Sequence, residues 1–97
     1  MIAMKNLLKI VLESLSSLLE GYGYTVKYVE GSPVGVCSAN LDSSKYVGTV
    51  TYWPDTRFEF QFNSCESGEV VILETKEFFQ EQELELYIRE LVSKILI

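Results

Sequence analysis

The spacing of apolar residues changes twice along this chain, and this change constrains the fold more than any other feature. In residues 3–20 apolar side chains recur every three or four positions, which predicts an amphipathic helix ending at Gly21. From residue 24 to residue 78 apolar and polar side chains mostly alternate, as they do in β-strands. Residues 80–96 return to helical spacing. The chain is therefore predicted to build a sheet between two terminal helices.

Each predicted helix has one apolar stripe, which we expect to be buried against the sheet. The first stripe consists of Met4, Leu8, Val11, Leu12, Leu15, Leu18 and Leu19. The second consists of Leu84, Tyr87, Ile88, Leu91, Val92 and Ile95. Leu7 and Ile10 lie off the first stripe, so that helix is expected to be covered on more than one side.

Turn-forming residues divide the alternating segment into five strands. The predicted strands are 24–29, 34–41, 46–53, 57–63 and 69–78. In the fourth strand the three phenylalanines point to one side, and Glu59 and Gln61 point to the other. Gly48, inside the third strand, is a candidate position for a β-bulge.

These elements predict an α+β two-layer sandwich. Short turns between consecutive strands favour an antiparallel five-stranded meander. The N- and C-terminal helices would bury their stripes on one face of it, in the order α-β-β-β-β-β-α. The phenylalanine face would meet the helices, and the opposite face would meet solvent or a partner. A length of 97 residues predicts a single domain over 1–97.

The charge balance excludes several classes of partner. Eight basic residues against fourteen acidic ones give a net charge of −6, which disfavours direct binding to nucleic acid or to anionic membranes. Lys5, Lys9 and Glu13 interrupt the N-terminal apolar stretch, so neither a signal peptide nor a membrane span is predicted. We therefore expect a cytoplasmic protein.

The chain has few residues that could perform catalysis. It contains no histidine, and its two cysteines, Cys37 and Cys65, cannot form a zinc site alone. A cytosolic location favours two reduced thiols, and one disulfide remains the alternative. The glutamates that crowd the C-terminal half are either a solvated face or a steering surface for a basic partner. We expect no enzyme activity, no cofactor and no metal.

Residues 38–68 carry a resemblance to a known family. Their distinctive segments are Asp42-Ser43-Ser44-Lys45-Tyr46-Val47-Gly48, Trp53 at the end of the third strand, Arg57-Phe58-Glu59-Phe60-Gln61-Phe62, and Gly68-Glu69. This sequence resembles the bacterial immunity-protein family TriTu, whose members carry a similar aspartate-serine-x-lysine-tyrosine-(isoleucine/valine)-glycine stretch. The terminal helices are also similar, whereas the hairpin tip at 54–57 departs from the family pattern.

The resemblance implies neutralisation of a cognate toxin C-terminal domain of a contact-dependent inhibition system. Such toxins include basic nucleases, which an acidic inhibitor would block by steric and electrostatic means in a stoichiometric complex. The candidate toxin-binding residues are Trp53, Asp55, Arg57, Glu59, Gln61, Glu66 and Glu69. They belong to the predicted third hairpin and to the sheet face opposite the phenylalanines.

Two other interpretations stay open. A small acidic secretion chaperone or adaptor could hold an extended segment of an effector against a strand edge. A nucleic-acid-mimicking inhibitor would need carboxylates spaced like phosphates. The sequence leaves monomer and dimer open as well.

Overall fold

The computed structural model describes residues 4–29, 36–53 and 56–96. The chain begins with helices α1 (Met4–Ser14) and α2 (Ser16–Gly21). The strands are β1 (Thr25–Val29), β2 (Cys37–Asp42), β3 (Tyr46–Tyr52), β4 (Arg57–Ser64) and β5 (Val70–Glu77). Helix α3 (Glu81–Glu90) continues into a π-helical turn (Leu91–Ile95). The predicted α+β class is confirmed.

The five strands form one antiparallel meander in the order β1-β2-β3-β4-β5. Each strand pairs with its neighbour in sequence, as the short turns predict. The predicted turn at 31–33 and the first residues of the second predicted strand lie outside the described residues.

The core lies between the helices and one face of the sheet. Phe58, Phe60 and Phe62 are completely buried there, as the alternation of β4 predicts. The buried helix residues that share this core are Leu7, Leu8, Val11, Leu12, Leu15, Leu19, Leu84, Ile88, Leu91, Val92 and Leu96. Burial of each large apolar side chain contributes about 2 kcal/mol to folding.

Gly48 does not form the predicted bulge. It pairs in regular register with Leu41 on one side and Phe62 on the other. The Phe62 ring lies directly over it, so a Cβ at position 48 would be 2.1 Å from two ring carbons. Glycine is therefore needed here for the close approach of an aromatic ring. The irregularity in the sheet lies instead between Phe62 and Asn63, opposite β5.

The first predicted helix is interrupted near its middle. The helix ends at Ser14 and begins again at Ser16, with Leu15 at φ −95° and ψ 8° between them. The Ser14 hydroxyl donates a hydrogen bond of 2.9 Å to the carbonyl oxygen of Val11, which also accepts from the Leu15 amide at 3.0 Å, and sharing of this kind bends helices. Leu15 and Leu19 are nevertheless buried, so the apolar stripe continues through the break.

The prediction that Ile95 belongs to the buried stripe is wrong. Ile95 is 58% exposed, whereas Leu96 is 4% exposed. The Leu96 amide donates to the carbonyl oxygen of Leu91 at 2.8 Å, a bond that spans five residues instead of four. The wider π-helical turn rotates Ile95 away from the core and brings Leu96 into it.

Candidate functional site

The sheet has a second face turned away from the helices, which we call the open face. Its centre is polar and mostly uncharged, and the strand register aligns it in rows. One row consists of Lys27, Asn40, Thr49, Gln61 and Leu73, and the next consists of Val29, Ser38, Thr51, Glu59 and Thr75. The Thr49 hydroxyl donates to Asn40 Oδ1 at 3.1 Å, which orders the middle of the face.

Four of the predicted toxin-binding residues lie together on the open face. Trp53 follows the buried Tyr52, so it belongs to the opposite side of the sheet, and it is 37% exposed. Its amide donates to the carbonyl oxygen of Arg57 at 2.8 Å, which places the two residues side by side. Glu59 and Gln61 follow Arg57 at alternate positions on the same face.

The other predicted residues lie elsewhere. Glu66 and Glu69 belong to the turn between β4 and β5, at the end of β4 remote from Arg57. A strand of this length separates the two groups by about 23 Å. Asp55 lies outside the described residues. The predicted set is therefore divided between the open face and a turn at its margin.

The open face also has an apolar border on β5 that the sequence analysis missed. Val70, Val71 and Leu73 are 50%, 44% and 63% exposed. Leu73 stands opposite Gln61, and Val70 stands opposite Asn63. The sequence carries part of this signal, because four consecutive apolar residues, 70–73, occur in the last strand of a meander, which must lie at an edge. Exposed apolar side chains beside a polar surface are typical of binding sites.

Tyr87 of α3 contacts β5 on the face of the sheet that the helices cover. Its hydroxyl donates to Glu74 Oε2 at 2.5 Å, and its ring packs against Phe60 and Phe78 with centroids 4.7 and 5.5 Å apart. Lys76 Nζ lies 5.3 Å from the centre of the same ring and 3.8 Å from Glu74 Oε2. Burial, and then the hydrogen bond and charge of Glu74, raise the pKa of Tyr87.

This arrangement predicts a loss of stability at alkaline pH. The raised pKa of Tyr87 means that the folded chain keeps this proton above pH 10, where an unfolded tyrosine releases it. The contribution of Tyr87 to the free energy of unfolding is therefore complete below about pH 10 and declines as the pH rises further. Burial raises the pKa of Tyr24 and Tyr28 in the same direction.

Tyr87→Phe tests this assignment. We expect it to cost about 1 kcal/mol at pH 8, because it removes one hydrogen bond. Urea unfolding should show that the free energies of unfolding of variant and wild type differ less at pH 11 than at pH 8. An equal difference at both values would contradict the role of this hydroxyl.

The acidic side chains concentrate at the β5–α3 side of the protein and its margins. They are Glu66 and Glu69 in the turn, Glu74 and Glu77 on β5, and Glu81, Glu83, Glu85 and Glu90 on α3. Arg89 contacts Glu85 at 3.2 Å, one turn away on α3. A concentration of one sign of charge attracts an oppositely charged partner over a distance of about 8–10 Å.

Other chemically interesting groups are dispersed. Cys37 pairs with Tyr52 at one end of β2, whereas Cys65 Sγ lies 3.7 Å from the carbonyl oxygen of Ser43 beyond the other end. This separation excludes a disulfide between the two cysteines within one chain. A pocket of about 210 Å³ lies between Tyr22, Tyr24, Lys45 and Leu96, and it is smaller than most ligand sites.

The described ranges 4–29, 36–53 and 56–96 contain neither a metal-ligand cluster nor a membrane-spanning helix. No group of three or more cysteine, aspartate or glutamate side chains there could hold a metal ion. Within the same ranges no helix has both the length and the apolar character needed to cross a membrane.

Comparison with known families identifies the kind of protein that this fold represents. The family model described as immunity protein TriTu matches residues 8–94. The chain therefore belongs to the TriTu family of immunity proteins, and the resemblance seen in the sequence is confirmed. Among curated proteins, none matches the chain. Membership of this family indicates a non-enzymatic role and a toxin as the partner.

Proposed function

We propose that this chain neutralises a cognate bacterial toxin domain by binding it in a stoichiometric complex. The family match over residues 8–94 is the observation that carries the proposal. In this proposal residues 1–97 form one immunity-protein domain. It acts in the cytoplasm of the cell that makes the toxin, in a contact-dependent inhibition system, without a cofactor.

The open face is the surface that suits this role best. It combines an exposed tryptophan, Trp53, with Arg57, and tryptophan and arginine are the residue types most enriched among dominant interface contacts. Glu59 and Gln61 extend the polar surface beside them, and Leu73 adds exposed apolar area at its border. Covering this face with a folded domain would block the toxin sterically.

The charge distribution favours a basic toxin, such as a nuclease. The net charge of −6 and the acidic margin at Glu66 and Glu69 would speed the approach of a positively charged domain. We place Asp55 in the same steering role on the basis of its charge alone. Apolar contacts at the open face would then set how long the complex lasts.

A protection assay tests the proposal. The probe is the toxin domain encoded immediately upstream of this chain's gene, expressed in cells with and without this protein. We expect survival with the wild type. Cell death despite a soluble wild-type protein would overturn the proposed function.

Trp53→Ala tests the surface. We expect it to weaken binding to the folded toxin domain about 30-fold, because it removes a large aromatic contact. Tyr22→Ala is the matched control, since Tyr22 is 44% exposed at the end of α2 and away from the open face. Equal binding by both variants, measured by isothermal titration, would place the interface elsewhere.

A secretion chaperone or adaptor is the second candidate, and the exposed edge of β5 is the observation that favours it. A chaperone should bind an unfolded segment of its client, whereas an inhibitor should bind only a folded domain. Titrating the protein with the folded toxin domain, and separately with short unfolded peptides from the same domain, distinguishes the two functions.

A further inference from the structure

The outer edge of β5 presents backbone groups directed away from the sheet. The Ser64 amide donates to the carbonyl oxygen of Glu69, and the Phe78 amide donates to that of Thr56. Because hydrogen-bonded positions alternate in an antiparallel pair, the even-numbered residues of β5 face β4. The amides and carbonyls of Leu73, Thr75 and Glu77 therefore point outward. In the part of the chain that the structure describes, β5 ends the sheet.

This edge has the length and the regular register that strand pairing requires. β5 has eight residues and no proline, and the described part of the opposite edge strand, β1, has five residues. The one irregularity lies near Asn63, so the register from Ile72 to Glu77 is continuous. Leu73 is 63% exposed beside these outward-directed groups. A long edge with regular register and an exposed apolar side chain can accept a further strand, and the charges of Glu74, Lys76 and Glu77 restrict which strand fits.

The protein surface beside the outer edge of β5 is acidic. Tyr87 reaches across to Glu74, so its side of α3 faces β5. Glu83 and Glu90 lie one turn before and one turn after Tyr87, and they share that side of the helix. A strand added to β5 would therefore direct alternate side chains toward three carboxylates and toward Lys76. Basic side chains fit those positions.

We propose that the outer edge of β5 accepts a basic, extended strand at the surface of the folded toxin domain. This proposal rests on the proposed function and specifies part of its interface. The strand's backbone bonds to Leu73, Thr75 and Glu77, and one of its apolar side chains packs beside Leu73 on the open face. Its Lys or Arg side chains on the other face pair with Glu74, Glu83 and Glu90. A second copy of this chain fits less well, because each copy carries a net charge of −6.

Thr75→Pro tests the backbone contacts. Proline removes the outward-directed amide without removing a bond to β4, and edge strands tolerate it. We expect binding of the folded toxin domain to weaken about 30-fold, since the carbonyl oxygen that bonds to the Thr75 amide would be left buried without a donor. Thr75→Ala keeps the amide and should bind within about threefold of the wild type. Wild-type affinity of a folded Thr75→Pro variant would overturn the proposal.

A charge variant keeps the proposal testable if Thr75→Pro does not fold. Glu83→Gln combined with Glu90→Gln should slow association about tenfold at low salt. The control, Glu13→Gln with Glu20→Gln, removes the same charge from α1 and α2 and should have a much smaller effect. Equal effects of the two pairs would overturn the assignment of the basic strand to this edge.

Two outcomes separate this proposal from the function on which it rests. If the wild type does not bind the toxin at all, the proposed function fails. If the wild type binds and the β5 variants bind equally well, only the strand-addition proposal fails. Sedimentation that shows a wild-type dimer lost in Thr75→Pro would assign the edge to a second copy and would also overturn it.

Discussion

Replacing Gly48 by alanine is expected to lower the free energy of unfolding by about 3 kcal/mol, although it adds a single methyl group. The added carbon would lie 2.1 Å from Cδ2 and Cε2 of Phe62 and 2.7 Å from its Cγ. Phe62 is completely buried, so its ring cannot move into solvent to make room. Either the ring or the strand must shift, and both belong to the centre of the sheet.

A double-mutant cycle in urea measures whether this contact is the cause. Phe62→Leu should cost less in the Gly48→Ala background than alone, with a coupling of at least about 1 kcal/mol. Val47→Ala is the control at the neighbouring position, where the side chain is 45% exposed, and it should cost less than about 0.5 kcal/mol. Strictly additive effects of the Gly48 and Phe62 substitutions would show that the ring does not require the glycine.

Leu96→Ala is expected to destabilise the protein by about 3 kcal/mol, whereas Ile95→Ala should change its stability by less than about 0.5 kcal/mol. Leu96 is 4% exposed and belongs to the core, while Ile95 is 58% exposed. An ordinary α-helix would produce the reverse order, because Ile95 continues the stripe that contains Leu84, Ile88 and Leu91.

The comparison of these two variants therefore tests the π-helical turn directly. Thermal and urea unfolding should show that the Leu96→Ala variant is much less stable than the Ile95→Ala variant. The reverse ranking would mean that the last turn is α-helical and that the bond from the Leu96 amide to the carbonyl oxygen of Leu91 does not form.

The sheet and its topology were predictable because their signals are local. Alternation from Phe58 to Phe62 identifies both faces of β4, and short turns make each strand the neighbour of the preceding one. The role of Gly48 was not predictable, because the ring that requires it comes from the next strand. The rotation of Ile95 also depends on packing, since nothing in its spacing distinguishes a π-helical turn from an α-helical one.

The candidate site was predictable in part. Alternation correctly grouped Arg57, Glu59 and Gln61 on one face, but the face of Trp53 required the strand register. The apolar run at 70–73 indicates an apolar edge strand, but it does not show that Leu73 is exposed, because an apolar residue in a strand is ordinarily assigned to the core. Its exposure follows from the position of β5, where the helices cover only the other face of the edge.

The central claim is that this protein acts by occupying a toxin and does not transform it chemically. The most direct test is a titration of the purified toxin domain's activity with purified wild-type protein, followed by mass spectrometry of the toxin. We expect a linear loss of activity that is complete at about one equivalent, with the toxin's mass unchanged and its activity restored after separation. Complete inactivation by far less than one equivalent, or a change in the toxin's mass, would contradict it.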